Sequence, residues 1–357
     1  MENGEVCMGE KTPAALNFHT RRVVAVLRGP GGEKLERPVE IRTHPITGRS
    51  CRITFSRKEE KESGTETLPP PPPEASASAD CPFCPGRLAE STPCLDPRLD
   101  AGDRLRRGRS VLFPNLFPYA SHSAVSLFDE RHFTEIGTAP LSSYLDSLAN
   151  CRHYLQLVKR MDPEAVFMAI TQNHLPSAGG SLLHPHLQVH ADTVAANHHR
   201  FFTGAADAYH RNTGRLLFSD YMEHERSDGS RWIGTSGDWG WMAAFAPEGF
   251  YEIWGILPGR FSLTDVSDAE LEQLARGILS AQRFFRSLCR NGYNLGILSS
   301  ESSASRLELR AVLTVRSNYA PWVRNDHTGF EVMLGDMATF VPPEETAGQA
   351  KPWFGDL

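Results

Sequence analysis

The segment richest in chemistry runs Gln172-Asn173-His174-Leu175-Pro176-Ser177-Ala178-Gly179-Gly180-Ser181-Leu182-Leu183-His184-Pro185-His186-Leu187-Gln188. It leaves an apolar run, passes through small residues and ends in a strand-like stretch from His184 to His190. Side chains alternate in direction along a strand, so His184, His186 and Gln188 are expected on one face. Two imidazoles and an amide then converge on one site, with His190 continuing the face as a rim residue. Gly179 and Gly180 let backbone N–H groups approach an anion closely, and Ser181 adds a hydroxyl donor. The pattern reads as a phosphate site.

A second cluster is Cys81-Pro82-Phe83-Cys84-Pro85-Gly86. Two thiolates at this spacing clasp one tetrahedral zinc when two further ligands arrive from elsewhere. A redox dithiol or two idle thiols is the alternative, and the flanking Pro and Gly favour the metal knuckle. His132 and His184 are the candidates for the remaining ligands, with His122 competing with His132.

These residues need a scaffold, and composition bounds it. The 357 residues carry 37 Lys+Arg against 43 Asp+Glu, a formal charge of −6, and 40% hydrophobic residues, as in an ordinary soluble globular chain. Mild acidity argues against nucleic acid as the main partner, since phosphate-backbone binders concentrate positive charge. The basic knot Arg104, Arg106, Arg107 and Arg109 reads as a solvated loop. No run of 18 apolar residues occurs, so no membrane span is expected. Seven irregularly spaced cysteines and no apolar amino-terminal region of secretory type point to a reducing, cytoplasmic setting.

Residues 1–60 hold a polar start, then apolar alternation at Val24, Val26, Val39, Ile41, Ile53 and Phe55, with turns at Gly29-Pro30-Gly31-Gly32 and His44-Pro45-Ile46-Thr47-Gly48. Residues 61–80 contain Pro69 to Pro73 and an Ala/Ser tract and read as a disordered or polyproline linker. Beyond it one pattern is stated twice, over 81–220 and 221–345, before a tail at 346–357. The first copy has strands at Val111–Phe113, Ala124–Phe128 and Ala165–Thr171 around a helix from about Pro140 to Lys159. The second has Trp241–Phe245, Tyr251–Leu257 and Tyr293–Leu298 around a helix from about Asp268 to Arg290, opened by a Ser267/Glu270 capping box. The expected class is α+β: duplicated units forming an antiparallel sheet packed by helices. Trp239, Trp241 and Trp254 are expected as core or interface aromatics, and His198, His199 and His210 at the surface.

The combination of Cys81-x-x-Cys84, His132, Asn173, Ser181 and His184-Pro185-His186-x-Gln188 resembles galactose-1-phosphate uridylyltransferases and related nucleotide-sugar phosphorylases of the histidine-triad superfamily. Arg42-Thr43-His44-Pro45-Ile46-Thr47-Gly48-Arg49 is similar to the segment that opens these enzymes. The resemblance spans roughly residues 38–345. It implies His186 as the nucleophile that becomes a nucleotidyl-histidine. It also implies zinc on Cys81, Cys84, His132 and His184, and Gln188, Asn173 and Ser181 on the phosphate oxygens. Arg57 takes the place of a substrate-phosphate arginine and Asn115 that of a residue holding the nucleoside. The implied substrates are a nucleotide sugar, uridine first, and a sugar 1-phosphate, or phosphate in the phosphorylases. Relatives are commonly homodimers.

Gln188 bears on the reaction. The hydrolase branch carries a third His there, able to protonate a poor leaving group, whereas an amide only donates hydrogen bonds. Transfer is favoured over hydrolysis. The second copy reads Arg306-Leu307-Glu308-Leu309-Arg310 where the first has its His-x-His strand, so one active half is expected, with no second metal and a charged pair among these residues instead. The Gly329-Phe330-Glu331 and Gly335-Asp336 segments resemble the sugar-contacting region of relatives.

Overall fold

The computed structural model describes residues 16–54, 67–319 and 325–355. Strands β1 (His19–Arg28), β2 (Lys34–Thr43) and β3 (Ser50–Thr54) form an antiparallel meander with the two expected turns. After α1 (Pro85–Ser91) come β4 (Leu105–Arg107), β5 (Ser110–Pro114), β6 (His122–Leu127), α2 (Leu141–Met161), β7 (Phe167–His174) and β8 (His186–Asp192). Helices α3 (Asn197–Thr213) and α4 (Leu217–Asp228) lead to β9 (Trp232–Ser236), β10 (Trp239–Ala243), β11 (Phe250–Leu257), α5 (Asp268–Ser287), β12 (Gly292–Ser300) and β13 (Leu309–Arg316). The chain closes with α6 (Gly329–Leu334), β14 (Met337–Thr339) and α7 (Pro343–Ala350).

Ten strands form one antiparallel sheet in the order β4-β5-β6-β8-β7-β12-β13-β11-β10-β9. The order is a palindrome: each half contributes the same sequence of strands outward from the central β7–β12 pair, where Asn173 lies opposite Asn294. The α+β class and the duplication are thus as expected. Both long helices cover one face. On β8, Leu187, Val189 and Ala191 point into that layer and are wholly buried, which sends His186, Gln188 and His190 to the other face. The Ser267/Glu270 capping box starts α5 as expected. Close packing of α5 on the sheet depends on Gly277, where a Cβ would come within 2.1 Å of the Trp241 indole. Trp239, Trp241 and Trp254 are core residues.

The opposite face is covered differently in the two halves. The first half carries Val111, Phe113, Val125 and Leu127 under Phe83 and Leu88 of the cysteine knuckle and α1. The second half is roofed by α3 and α4 through Phe202, Tyr209, Phe218 and Tyr221 on Met242, Trp254 and Ile256.

Several expectations are corrected. Of the two expected states of the linker, the disordered one fails over residues 67–80: Pro72 is extended (φ −61°, ψ 151°) and buried, with a short turn at Pro73–Ser76; residues 61–66 lie outside the described residues. Proline rings have no N–H to satisfy and a preset extended backbone, so such a run docks on apolar surface at little entropic cost. Nor are residues 346–355 a tail: Ala347, Ala350 and Phe354 join the main core, and β14 pairs in parallel with β3. His199 is buried rather than exposed, because the third residue of α3 faces β7 and its Nε2–H donates to the Met168 carbonyl at 2.8 Å.

The expected charged pair at 306–310 does not form. Glu308 accepts from the N–H groups of Phe218 (2.9 Å) and Ser219 (2.8 Å) at the start of α4, where the helix dipole favours a carboxylate, and from Gly259 N–H (2.8 Å). Arg310 lies 4.0 Å from the Phe202 ring centre and 4.1 Å from that of Trp254. Arg306 donates to the carbonyls of 303–305.

Glu252, buried on β11, accepts from Trp254 Nε1–H (2.5 Å) and Glu248 N–H (2.8 Å). Burial, reinforced by Glu248, pushes its carboxyl from an ordinary 4.5 up to about 7. The folded chain thus keeps a proton that the unfolded chain has released, so this contribution is full below about pH 4.5 and is lost as pH rises through 7. Urea unfolding at stepped pH should show stability falling by up to about 3 kcal/mol across that window. Glu252→Gln should flatten the fall, and an unchanged slope would assign it to another group.

Candidate active site and metal centre

Four side chains from three segments meet beside the edge of β8. Cys81 and Cys84 come from the knuckle before α1, His132 from the loop after β6, and His184 from the approach to β8. Their ligand atoms all lie within 4.8 Å of one another. Cys84 Sγ is 3.5 Å from His132 Nδ1 and 3.7 Å from His184 Nδ1, and Cys81 Sγ is 3.9 Å from His184 Nδ1. A tetrahedral ion holding sulfur at about 2.3 Å and nitrogen at about 2.0 Å sets neighbouring ligand atoms about 3.5 Å apart. The cluster matches that spacing.

The orientation of both imidazoles supports the same use. His184 Nε2 is 3.0 Å from the Asp129 carbonyl and His132 Nε2 is 3.2 Å from the Glu74 carbonyl. Carbonyls only accept, so each Nε2 carries the proton and each Nδ1 presents a lone pair to the thiols. Burial holds His184 down to about 4, keeping that lone pair free. Burial and the adjoining Cys81 push the Cys84 thiol up to about 11, so a cation is what would draw the thiolate out at neutral pH. The donor set fits a metal ion. His122, the competitor for His132, is instead 2.8 Å from the Asp162 carboxylate.

His184 itself lies just before β8 rather than on it, since Phe128 N–H takes the Pro185 carbonyl and regular pairing begins at His186. The two imidazoles are therefore separated: His184 turns to the thiols, and His186 stands on the sheet. His186 is 8% exposed, and its Nδ1–H donates to the His184 carbonyl at 2.7 Å. That bond fixes the tautomer with the lone pair on Nε2, and burial lowers the imidazole below its ordinary value. Phe83 sets its ring edge-on to both, 5.5 Å from His186 and 6.1 Å from His184, linking knuckle and strand. Gln188 follows on the same face, half-buried, opposite Val125 and Thr171.

The loop behaves differently from expectation. Gly179 N–H bonds to the Pro176 carbonyl and Gly180 N–H to that of Leu175, each at 3.0 Å. Both amides are thus used to close the loop, and these glycines shape it rather than donate to a ligand. Ser181 is exposed. A Cβ on Gly180 would lie 2.9 Å from the Asn173 carbonyl and 3.0 Å from that of Leu175, both backbone. Gly180→Ala should therefore push the loop off β7, at about 1–3 kcal/mol in thermal unfolding, and lower any turnover at His186; an unaffected variant would show that the loop yields freely.

Asn173 reaches the site from β7, its Oδ1 bound by Asn294 Nδ2–H at 2.7 Å. Asn294 is in turn held by Arg316, 2.8 Å away, which pairs with Asp326. The Asn173 oxygen is thus engaged across the central strand pair. Asn115, at the end of β5, accepts from Phe117 N–H at 3.1 Å in an exposed turn that also shows Leu116 and Tyr119. It lies on the site face but near the His190 end of β8, where Ser123 Oγ and His190 Nδ1 are 3.1 Å apart. Arg57 lies outside the described residues.

Three contributors escaped the sequence reading. Asn294 sits across from Asn173 in the duplicated strand, a match that a register-level comparison of the two halves would have exposed. Phe83 was in view only as a knuckle residue. Asp129 carried no signal: its carbonyl holds His184, while its buried carboxylate, despite burial, is held down to about 2 by Arg131 and Ser143.

No family model matches the chain. A relative from Archaeoglobus fulgidus, described only as an uncharacterized protein, is 27% identical over 332 residues, covering 92% of this chain and 96% of that one. Among solved structures, a galt-like protein from Arabidopsis thaliana is 20% identical with TM-score 0.66, covering 87% of this chain and 98% of the other. An ADP-glucose phosphorylase from Arabidopsis thaliana with bound ADP-glucose is 20% identical with TM-score 0.65, covering 88% and 98%. A uridylyltransferase is 18% identical with TM-score 0.63, covering 88% and 98%. The duplicated ten-stranded sheet of this chain is thus a fold shared with these solved structures, the galt-like protein, the ADP-glucose phosphorylase and the uridylyltransferase.

Proposed function

We propose that the protein is a nucleotidyltransferase working by double displacement through His186. The observation that carries this reading is the Nδ1–H bond to the His184 carbonyl, which leaves a neutral Nε2 lone pair beside an amide instead of a third imidazole. Nε2 attacks the α-phosphorus of a nucleotide sugar. A P–N bond forms, the P–O bond to the β-phosphate breaks, and sugar 1-phosphate leaves with that electron pair. A phosphate oxygen of the acceptor then attacks phosphorus and returns Nε2 to its free state. No proton need be given to the leaving group, whose second pKa of about 6 makes it stable as an anion. Gln188, Ser181 and the Asn173 amide donate to the phosphoryl oxygens as their charge grows.

Cys81, Cys84, His132 and His184 would hold zinc, which supplies a fixed anchor for His184 and so for the carbonyl that orients His186. Arg57 and Asn115 are assigned to the substrate phosphate and the nucleoside.

A uridine nucleotide sugar with a hexose 1-phosphate acceptor is the first substrate pair. The likeness to an ADP-glucose phosphorylase supports a second, an adenine nucleotide sugar with inorganic phosphate. Incubating the protein with UDP-glucose or ADP-glucose, each with labelled hexose 1-phosphate or labelled phosphate, separates the two. Label should enter nucleotide in one pair and not the other; exchange in neither would sink both. A homodimer, as implied by the resemblance, should appear in sedimentation as a species of twice 39.6 kDa.

A further inference from the structure

Away from His186, a cleft of about 770 Å3 opens between the turn after β2 and the first turn of α3. At its wall, His44 is 2% exposed, and its Nδ1 accepts from the N–H groups of Ile46 and Thr47, each at 3.1 Å. The ring proton must then sit on Nε2, which is buried with no partner. Burial first, and then Arg310, Arg49 and His198, hold His44 down to about 3, so it is a neutral donor rather than a cation. A buried N–H without an acceptor costs about 1–3 kcal/mol and marks a place where a ligand atom belongs.

The charges around it have one sign in excess. Arg49 and Arg200 line the cleft against one carboxylate, Glu248, which lies 3.3 Å from Arg49 and 3.9 Å from the His198 imidazole. Arg310 adds a buried guanidinium behind His44. Helix α3 starts here with Ala196 as its cap and no side-chain cap bond, so its first N–H groups also favour an anion. We propose that this cleft binds the phosphate group of a small phosphorylated metabolite, with His44 Nε2–H at the back and Arg49 and Arg200 at the rim. Its volume suits a ligand of up to nucleotide size. The site is separate from His186 and does not depend on the transfer reaction.

The test titrates the metal-loaded protein, labelled with 15N-histidine, with inorganic phosphate, glucose 1-phosphate and AMP. The slowly exchanging His44 Nε2–H resonance, assigned by its loss in His44→Asn, reports this cleft and not His186; asparagine keeps an acceptor for the two turn N–H groups. At least one probe should shift it saturably below about 1 mM, and the probe with the lowest midpoint identifies the source of the phosphate. Arg49→Ala and Arg200→Ala, both solvent-exposed changes, should each move the calorimetric midpoint about tenfold higher. No shift with any probe, a midpoint indifferent to both rim substitutions, or an equal shift with malonate would overturn the proposal. Should His44→Asn fail to fold, calorimetry on the two rim variants decides alone.

Discussion

His186→Gly is expected to lose the nucleotidyl adduct seen by mass spectrometry after mixing with nucleotide sugar, and to slow exchange by at least about 10⁴-fold. Removing a covalent nucleophile takes away the step that splits one displacement into two, and losses of that order or larger follow in enzymes whose nucleophile is deleted. The glycine variant should still fold and hold its metal, because the His186 side chain contributes no ligand to the cluster. Added imidazole should restore part of the rate by occupying the vacated space. An adduct that survives the substitution would show that the nucleophile is elsewhere. His184→Ala is a contrasting case: its carbonyl still accepts from His186, but the ligand atom is gone, so metal content and rate should fall together.

The second large effect is expected from Cys84→Ser. Of the four candidate ligands, Cys84 Sγ lies nearest to both histidines, so its loss leaves three dispersed donors. Metal content, measured by plasma mass spectrometry, should drop from about one ion per chain to a small fraction of that. A metal present at a thousandfold excess over its dissociation constant stabilises by about 4 kcal/mol. For a chain of this length that amounts to a Tm lowered by about 5 °C. The rate should fall by about 10–100-fold, as when a supporting partner of an oriented group is removed, rather than by the full factor seen for His186. Equal losses in the two variants would mean that the metal acts directly on the substrate, and unchanged metal content would remove Cys84 from the ligand set.

Much of the scaffold was legible because it obeys local rules. Helical spacing marked α2 and α5, and alternation marked the strands of both halves, since each element has one face against a continuous core. Repetition along the chain announced the duplication. What could not be read was how the two copies join. The β7–β12 pairing that puts Asn294 against Asn173 is a contact between residues 121 positions apart, and neither strand carries a mark of its partner.

The candidate site divides in the same way. The residue types in Cys81-x-x-Cys84 and His184-Pro185-His186-x-Gln188 pointed from sequence alone to a metal knuckle, with a redox dithiol as the alternative, and to a phosphate site; the nucleophile's role for His186 came from the family resemblance. Tertiary structure decided which atoms do what. It placed His184 off the strand, chose His132 over His122, and used the glycine amides inside their own loop. It also brought the proline run alongside, so that the Glu74 carbonyl fixes His132. Each of these outcomes turns on where a backbone carbonyl or a distant carboxylate comes to rest. Every residue carries the same carbonyl, so position, which only folding assigns, is what gives one of them a role.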